Sequence, residues 1–383
     1  MILTLTNIVI TGWYGAKNAG DEAILAALLY QLRRKGYSNL SVLSYDPAYT
    51  TTLHNVKAYP EMRLDLYKSI EVISNADLLI VGGGGLLKDE GKYYPLLLIK
   101  CLLARLFKTK IILFGVGVGP FYRSFGRWVT GQIARLADVI TVRDRESQEL
   151  LYDIGVRRDV HVTGDLALCL PDINPNQVPQ SLKFAGFSVN PGTLRIAVSL
   201  RPWYHMRRIW PDGKLKYAQF LDNFADAIDQ IDALYNPVVV FIPMQYEQDV
   251  PVGKELYTRL SSRKEFDLLF EQGYNYLEIS TALANFDILI GMRLHSLIFA
   301  SLSYTPIVSV SYSSKVSSFI KSLQSDKWNT SIDSLVTDDL VKIVQDSFNQ
   351  RETVIQNLKN RVPGLRNKSL DNFSYIESLI QER

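Results

Sequence analysis

The sequence has few cysteines, few histidines and no excess of charge of one sign. Its 383 residues include two cysteines, Cys101 and Cys169, and four histidines. Two cysteines in apolar surroundings provide neither a disulfide framework nor the spacing of a metal site. The 42 basic and 39 acidic residues nearly cancel. This balance argues against a nucleic-acid partner but allows a local basic cluster around an anionic ligand.

A long apolar run is also missing. The most apolar segment, residues 94–107, contains Lys100 and Arg105 and is shorter than the roughly 20 residues of a membrane-spanning helix. A buried helix is predicted there, and a helix lying on a membrane surface is the alternative. The start of the chain resembles no signal peptide. The expected location is therefore the cytoplasm, with attachment to the inner face of the membrane left open.

Short apolar runs alternate with helical periodicity along the whole chain. Residues 77–81 and 110–116 predict buried strands, and the apolar spacing of residues 21–35 predicts a helix. Strands that are apolar on both faces and separated by helices are typical of a parallel sheet covered on both sides. A second series begins at residue 195, after a segment rich in proline, asparagine, glutamine and serine.

Two doubly wound, Rossmann-like α/β domains facing a cleft are therefore predicted. In this prediction, residues 1–175 form the first domain, residues 176–193 the linker and residues 194–383 the second domain. The charged C-terminal helices are expected to pack across the domains. Ligands on such sheets bind at the carboxyl ends of the strands, so candidate site residues are sought at that edge.

Glycine-rich turns follow two strands of the first domain. The segment Gly12–Glu22 precedes a helix whose free amide groups favour an anion, but it matches neither a dinucleotide fingerprint nor a P-loop. Ordering the four glycines of the run Gly82–Gly85 costs conformational entropy. Crowding against a ligand or against the opposite domain would explain why glycine stands there. A tight structural turn is the alternative for both, and Asp21 fits a helix cap. The candidate ligand-binding residues are Gly12, Tyr14, Asn18, Asp21, Gly83, Gly84 and Gly85.

Cations follow three apolar strands of the second domain. Arg201 comes after residues 195–200, and Lys315 comes after residues 307–310. Arg293 and His295 follow the strand that ends at Gly291. Arginine offers a planar fork for carboxylate or phosphate, and histidine exchanges a proton near neutral pH. Three cations at one sheet edge therefore indicate a small anionic ligand. The roles of Asp165, which fits a helix cap or an acid, and of His205 stay open.

Several segments together resemble the polysaccharide pyruvyl transferase family, in particular the bacterial ketal-pyruvyltransferases of cell-wall polymers and exopolysaccharides. The order and spacing of these segments carry the resemblance, which runs from Gly12 to about Phe319. The matching pieces are GWYG…NAGDEAI from Gly12, VGGGGL from Val81, GVGVGP from Gly115, VRDRES from Val142, SLRPW from Ser199 and GMRLH from Gly291.

The resemblance implies a fold like that of the GT-B glycosyltransferases, with phosphoenolpyruvate as donor and a saccharide as acceptor, either free or carried on a lipid diphosphate. It implies that His295 is the acid/base and that no metal or organic cofactor takes part. Ser313 and Ser314 replace the Asp-Pro that often precedes the family's lysine, so the match at Lys315 is partial. The donor would be held by Arg201, Arg293, Leu294 and Lys315, and the acceptor by the glycine-rich turns.

The expected reaction forms a pyruvate ketal and releases phosphate. Protonation of the methylene carbon of phosphoenolpyruvate makes its central carbon electrophilic, and two sugar hydroxyls then attack in turn. Bidentate arginines suit the carboxylate and phosphate of this donor. A nucleotide-sugar-dependent glycosyltransferase of the same fold and a non-catalytic saccharide-binding protein are the alternatives.

Overall fold

The computed structural model describes residues 6–89, 94–173, 193–203, 212–261, 266–268 and 274–381. The chain divides into two compact units. The first contains residues 1–171 and 364–383, and the second contains residues 172–363. The predicted linker at 176–193 lies outside the described residues except for its last position, and so does His205.

The first unit alternates strands and helices up to a short 3₁₀ turn at Leu166–Cys169. Its strands are β1 Ile8–Thr11, β2 Leu40–Ser44, β3 Lys57–Pro60, β4 Leu78–Gly82, β5 Lys110–Val116, β6 Val139–Val142 and β7 His161–Val162. Its helices up to that turn are α1 Ala19–Arg34, α2 Pro47–His54, α3 Leu66–Ser74, α4 Tyr94–Leu106, α5 Ser124–Leu136 and α6 Arg145–Asp153.

The described part of the second unit repeats this alternation. Its strands are β8 Arg195–Ser199, β9 Val238–Phe241, β10 Phe266–Leu268, β11 Ile288–Gly291, β12 Ile307–Ser311 and β13 Asn329–Ser331. Its helices are α7 Gly213–Tyr235, α8 Tyr246–Arg259, α9 Tyr276–Leu283, α10 Leu294–Leu302, α11 Ser314–Ser322 and α12 Thr337–Asn349. The chain then ends in α13 Arg351–Leu370 and α14 Asn372–Gln381.

Both sheets are parallel and doubly wound. The strand order is β3-β2-β1-β4-β5-β6-β7 in the first unit and β10-β9-β8-β11-β12-β13 in the second. The central strands are fully buried, because hydrophobic residues occupy both of their faces. In each sheet the first strands are added towards one side and the later strands towards the other. The order switches between β1 and β4 in the first sheet and between β8 and β11 in the second. Ligands of such sheets bind at the carboxyl ends of strands beside this switch point.

The last twenty residues belong to the compact first unit. The sequence prediction grouped them with the second domain and expected the C-terminal helices to pack across the domains. Phe373 packs edge-on against Phe114 of β5, with 5.1 Å between ring centroids. The Asn372 side chain accepts hydrogen bonds from the Thr141 and Thr163 hydroxyls at 2.5 and 2.9 Å. A buried amide satisfied by two hydroxyls fixes the tail more specifically than apolar contact alone.

The segment predicted to be a buried helix is α4, which has Cys101 on its buried face. Burial raises the pKa of the Cys101 thiol to about 12, so this thiol stays protonated. Within the described residues, no helix combines the length and the apolarity that crossing a bilayer requires.

Candidate functional site

The predicted cations of the second unit lie around its switch point. Arg201 follows β8, and Arg293 follows β11, the neighbouring strand on the other side of that point. Lys315 lies in the first turn of α11, directly after β12. Ser199 of β8 and Ser309 of β12 both pair with Gly291, so the three strands end at nearly the same level. The topology therefore places the three cations at one edge.

Tyr312, which the sequence analysis did not select, is the group these cations share. The Arg201 guanidinium donates to the Tyr312 hydroxyl at 3.0 Å and lies 4.8 Å from the centroid of its ring. The Lys315 ammonium lies 5.5 Å from the same centroid. The Trp203 ring packs against Tyr312 at 4.6 Å between centroids and also contacts Arg201. Two aromatic faces thus hold the guanidinium in one orientation.

The phenol of Tyr312 is unusually acidic. Burial raises its pKa, but the positive charges of Lys315, Arg201 and Arg293 and the hydrogen bond from Arg201 together lower the pKa to about 7. An anionic phenolate is therefore well populated at neutral pH. A place that stabilises a phenolate also stabilises the anionic groups of a ligand, because the same cations act on both.

Arg293 is held by a buried carboxylate that the sequence analysis also missed. Its Nε donates to Asp249 Oδ2 at 3.1 Å, and its Nη2 donates to Asp249 Oδ1. The main-chain amides of Met244 and Gln245 donate to Asp249 Oδ2 as well, at 3.0 and 2.9 Å. Asp249 lies inside α8, 44 positions before Arg293. Nε and Nη2 of the guanidinium are thereby held in a fixed orientation.

His295 and Leu294 open helix α10. The helix begins at Leu294, with Arg293 as its N-cap residue. The Leu294 side chain is buried, so only its main-chain amide is suited to a ligand contact. Partly exposed, His295 stands in the same first turn, where the helix dipole favours a negative charge.

In the first unit, Tyr14 and Gly12 pack together in the first glycine-rich turn. Tyr14 is 1% exposed, and its hydroxyl donates to the Gly82 carbonyl at 2.7 Å. A Cβ atom at Gly12 would lie 2.6 Å from the Tyr14 ring and 2.9 Å from the Gly82 carbonyl. Burial, with the nearby Asp21 and Glu22 carboxylates, raises the pKa of Tyr14 well above its ordinary value, so the phenol remains a donor. Tyr14 and Gly12 thus hold the turn against the end of β4.

Asn18, not Asp21, caps helix α1. Its side-chain oxygen accepts from the Gly20 and Asp21 amides at 3.0 and 3.3 Å. Behind the cap, Glu22 accepts from the Gly15 amide at 2.8 Å and lies 2.9 Å from the buried His54 ring nitrogen. Glu22 therefore links the capped turn to His54 at the end of α2, a connection that sequence spacing does not reveal.

Helix α1 explains the tightness of the second glycine turn, for which a tight structural turn and contact with a ligand or the opposite domain were the alternatives. Gly83 and Gly84 have φ values of +62° and +68°. A Cβ atom at Gly83 would lie 2.1 Å from the Ile24 side chain, and one at Gly84 would lie 2.7 Å from the Asp21 carboxylate. Nothing lies within 4 Å of a Cβ atom built on Gly85. The two turns therefore meet. Gly83 and Gly84 are buried there, whereas Gly12, Asn18, Asp21 and Gly85 are partly exposed.

Asp165 is a cap that also forms an ion pair. Its side chain accepts from the Ala167 amide at 3.1 Å and from Arg143 Nη1 at 3.4 Å, and its carbonyl accepts from Ser369 in the C-terminal tail at 2.8 Å. These contacts give Asp165 a structural role in joining the tail to the sheet.

Comparison with known proteins relates this arrangement to one family and one fold. A model of the polysaccharide pyruvyl transferase family matches residues 18–314. The amylovoran biosynthesis protein AmsJ of Erwinia amylovora is 22% identical over 306 residues, which are 78% of this chain and 71% of AmsJ.

Solved structures resemble the chain over nearly its whole length. The UDP-GlcNAc 2-epimerase from Neisseria meningitidis bound to UDP-GlcNAc has a TM-score of 0.63 at 12% identity and covers 98% of this chain and 100% of its own. A glycosyltransferase from Rickettsia africae has a TM-score of 0.59 at 12% identity and covers 99% and 97%. At these identities the likeness concerns the fold alone, which is GT-B-like.

Proposed function

Because the chain belongs to the polysaccharide pyruvyl transferase family, we propose that it transfers the enolpyruvyl group of phosphoenolpyruvate to a saccharide, forms a pyruvate ketal and releases phosphate. The saccharide is part of a cell-surface polysaccharide or of its lipid-linked precursor. The proposed location is the cytoplasm, at the inner face of the membrane where the acceptor is lipid-linked.

The observation that carries this proposal is the convergence of Arg201, Arg293 and Lys315 on Tyr312. Phosphoenolpyruvate has a carboxylate and a phosphate on adjacent atoms, so it needs several cations close together. Arg201 is oriented by two aromatic rings and Arg293 by Asp249. Such fixed cations bind a small polyanion with little loss of side-chain entropy. In the proposal these groups and the Leu294 amide hold the donor.

The same residues suit the charge that develops during the reaction. A proton is added to the methylene carbon, and the oxygen of the first sugar hydroxyl bonds to the central carbon while its own proton leaves. The second hydroxyl then displaces phosphate, which takes the last proton. His295, in the first turn of α10, is proposed to handle the proton of at least one step. The cations stabilise the phosphate as it departs.

Tyr312 is proposed as a second proton carrier. Without a ligand, the cations favour its phenolate. A bound donor supplies negative charge to the same cations, and this competition raises the pKa of Tyr312 and returns a proton to its oxygen. The donor thereby loads an acid beside its own reactive carbon. This sequence follows from the electrostatics of shared cations.

The acceptor is proposed to bind the carboxyl edge of the first sheet. Asp21 and Gly85 are partly exposed there, as are Gly12 and Asn18. A carboxylate suits sugar hydroxyls because it accepts hydrogen bonds from two of them. Tyr14, Gly12, Gly83 and Gly84 shape the edge through their contacts with one another and with α1.

The test is phosphate release from phosphoenolpyruvate, measured with and without a panel of saccharides. Wild type, His295→Ala and Arg201→Ala are compared with Arg259→Ala, which removes a partly exposed arginine paired with Asp222. Acceptor-dependent release is expected in wild type and Arg259→Ala. Loss of a general acid–base group is expected to reduce turnover about 100-fold or more in His295→Ala, and Arg201→Ala is expected to raise the donor KM.

Unchanged turnover in His295→Ala would remove the proton-transfer role of that residue. Binding of a nucleotide sugar together with failure to bind phosphoenolpyruvate would replace the proposal with a glycosyltransferase function.

A further inference from the structure

One stretch of the first unit departs from the charge balance of the chain. Residues 94–137 contain Lys100, Arg105, Lys108, Lys110, Arg123, Arg127 and Arg135, and no aspartate or glutamate. This stretch comprises α4, β5 and α5. The chain as a whole carries a net charge of only +3. Ion pairs with Glu61 and Asp138 offset the charges of Lys100 and Arg105. The remaining local excess needs a physical reason, because like charges close together repel.

The outer side of α4 is apolar and exposed. Ile99, Leu102 and Leu106 recur at helical spacing, and Leu106 is 73% exposed. We call these three residues the α4 stripe. The lysine next to Ile99 points inward, since Lys100 forms a buried ion pair with Glu61 and donates to the Thr11 hydroxyl at 2.7 Å. Burying that charge leaves the outer side of α4 without a polar residue between Ile99 and Leu102.

Helix α5 extends the same surface. α5 packs beside α4. Near the two N-termini, the ring centroids of Tyr94 and Phe125 lie 6.0 Å apart. Near the two C-termini, Arg105 Nε donates a hydrogen bond to the Leu136 carbonyl. Phe125 stacks on Trp128 at 5.9 Å, and Trp128 is 54% exposed. We call this surface the α4–α5 face, defined by Ile99, Leu102, Leu106, Tyr122, Phe125 and Trp128.

Exposed basic residues accompany the apolar ones. Arg123, Arg127 and Arg135 lie on or beside α5, and Lys108 follows α4, all four with exposed side chains. Exposed leucine, phenylalanine, tryptophan and tyrosine combined with arginine and lysine are typical of helices that lie in a membrane interface. Anionic headgroups complement the basic residues, and each such charge strengthens membrane binding.

We propose that the α4–α5 face docks on an anionic membrane surface, with Phe125, Trp128 and the α4 stripe in the acyl boundary and the basic residues on the headgroups. A second copy of the chain fits this face less well. A twofold contact would place the same basic residues opposite each other, and the segment has no acidic group to pair with them.

Docking through the α4–α5 face would also bring the protein to a lipid-linked acceptor. This consequence rests on the proposed function, whereas membrane binding itself does not. The N-termini of α4 and α5 follow the carboxyl ends of β4 and β5. The aromatic end of the face, with Tyr94 and Phe125, therefore borders the sheet edge that carries Gly83–Gly85. A saccharide attached to a lipid would reach that edge while its lipid stays in the bilayer.

The experiment is vesicle flotation of the full chain, without donor or acceptor, so that its result does not depend on transfer activity. Phosphatidylcholine vesicles are compared with vesicles that also contain phosphatidylglycerol. Wild type is expected to float with the anionic vesicles, and high salt is expected to weaken the binding. Arg123→Gln/Arg127→Gln is expected to lower the partition coefficient about thirtyfold, and Phe125→Ser/Trp128→Ser at least about tenfold.

Matched variants in the second unit separate this surface from general stickiness. Leu215→Ser/Leu234→Ser removes two exposed leucines of α7, and Lys342→Gln/Lys359→Gln removes two exposed lysines. Both are expected to bind vesicles like wild type. The proposal is overturned if wild type binds no vesicle, if the face variants bind as wild type does, or if the Phe125→Ser/Trp128→Ser variant instead dissociates a dimer.

Discussion

The carboxyl edges of the two sheets use their residues in opposite ways. At the first edge, Tyr14 donates to the Gly82 carbonyl and Asn18 caps α1, so polar groups mostly satisfy the protein itself. At the second edge, three cations act on Tyr312, and the single negative charge of its phenolate neutralises them only in part. The first edge is shaped by close packing and the second by unbalanced charge.

The difference separates two meanings of a motif at a switch point. A glycine-rich turn lets a strand end close to a neighbouring helix, whatever binds there, as Gly83 does beside Ile24. Like charges, in contrast, gain nothing from each other's proximity. A group of cations that the fold brings together is therefore stronger evidence for an anionic ligand than a group of glycines.

The largest expected effect concerns Asp249, the residue that departs from this division. Its carboxylate is fully buried and holds both Arg293 and two amides. Asp249→Ala is expected to lower the free energy of unfolding by about 3–5 kcal/mol, because it leaves a poorly solvated arginine without its partner. Urea denaturation measures the loss. Asp222→Ala, which breaks the more exposed pair with Arg259, is the control, with about 0–1 kcal/mol expected. Equal losses in the two variants would mean that Asp249 has no special structural role.

Neighbouring glycines test whether packing alone shapes the first edge. Gly83→Ala combines a positive φ with a Cβ atom 2.1 Å from Ile24 and is expected to cost about 2–4 kcal/mol of unfolding free energy. Gly85→Ala has open space and is expected to change the stability little. Thermal unfolding of both variants measures the contrast. A Gly85→Ala variant that loses acceptor affinity at full stability would add a ligand role to this edge.

Two tyrosine variants should give opposite results. Tyr14→Phe removes a buried hydrogen bond and is expected to cost about 1 kcal/mol of stability, with donor KM unchanged. Tyr312→Phe removes a phenolate that contributes little stability near pH 7, where it is only partly ionised. At that pH its stability should therefore change less, while turnover falls. Denaturation and steady-state kinetics on both proteins measure this reversal. The comparison fails if Tyr14→Phe is the variant with impaired turnover.

The smallest effect is a titration. With the pKa of Tyr312 lowered to about 7, an ultraviolet phenolate signal is expected to appear as the pH rises through neutrality, and to be absent in Tyr312→Phe. A lowered pKa stabilises the fold fully above the ordinary value of 10.0 and progressively less as the pH falls through about 7. The stability difference between wild type and Tyr312→Phe should therefore grow from pH 7 to pH 10. Adding phosphoenolpyruvate should shift the phenolate signal to higher pH.

The parallel cores were predictable because β4, β5, β8 and β11 are short apolar runs bounded by helical patterns. The missed elements carry weaker signals. β3 is a partly exposed edge strand, β13 has three residues, and α8 contains Pro251. The particular contacts of the C-terminal tail could not be predicted, since Asn372 and Phe373 make them with residues more than two hundred positions away.

The cations of the candidate site were predictable from position alone, since each follows a buried strand. Their partners were not. Asp249 reaches Arg293 from inside a helix, and nothing in the sequence fixes the distance between α8 and α10. The acidity of Tyr312 depends on three charges that come from different strands. A tyrosine directly after β12 was the available signal. Its meaning requires the fold.

The tail that completes the first unit also sets the timing of its assembly. Thr141 and Asn372 are separated by 231 positions. At roughly 5–20 residues per second, about 10–50 s of translation pass between them. During that interval Phe114 lacks the Phe373 ring that packs against it in the finished protein, while the strands from β8 to β13 are synthesised. Of the two units, the one whose strands leave the ribosome earlier is thus finished later, and its incomplete sheet is where a nascent chain would most need a chaperone.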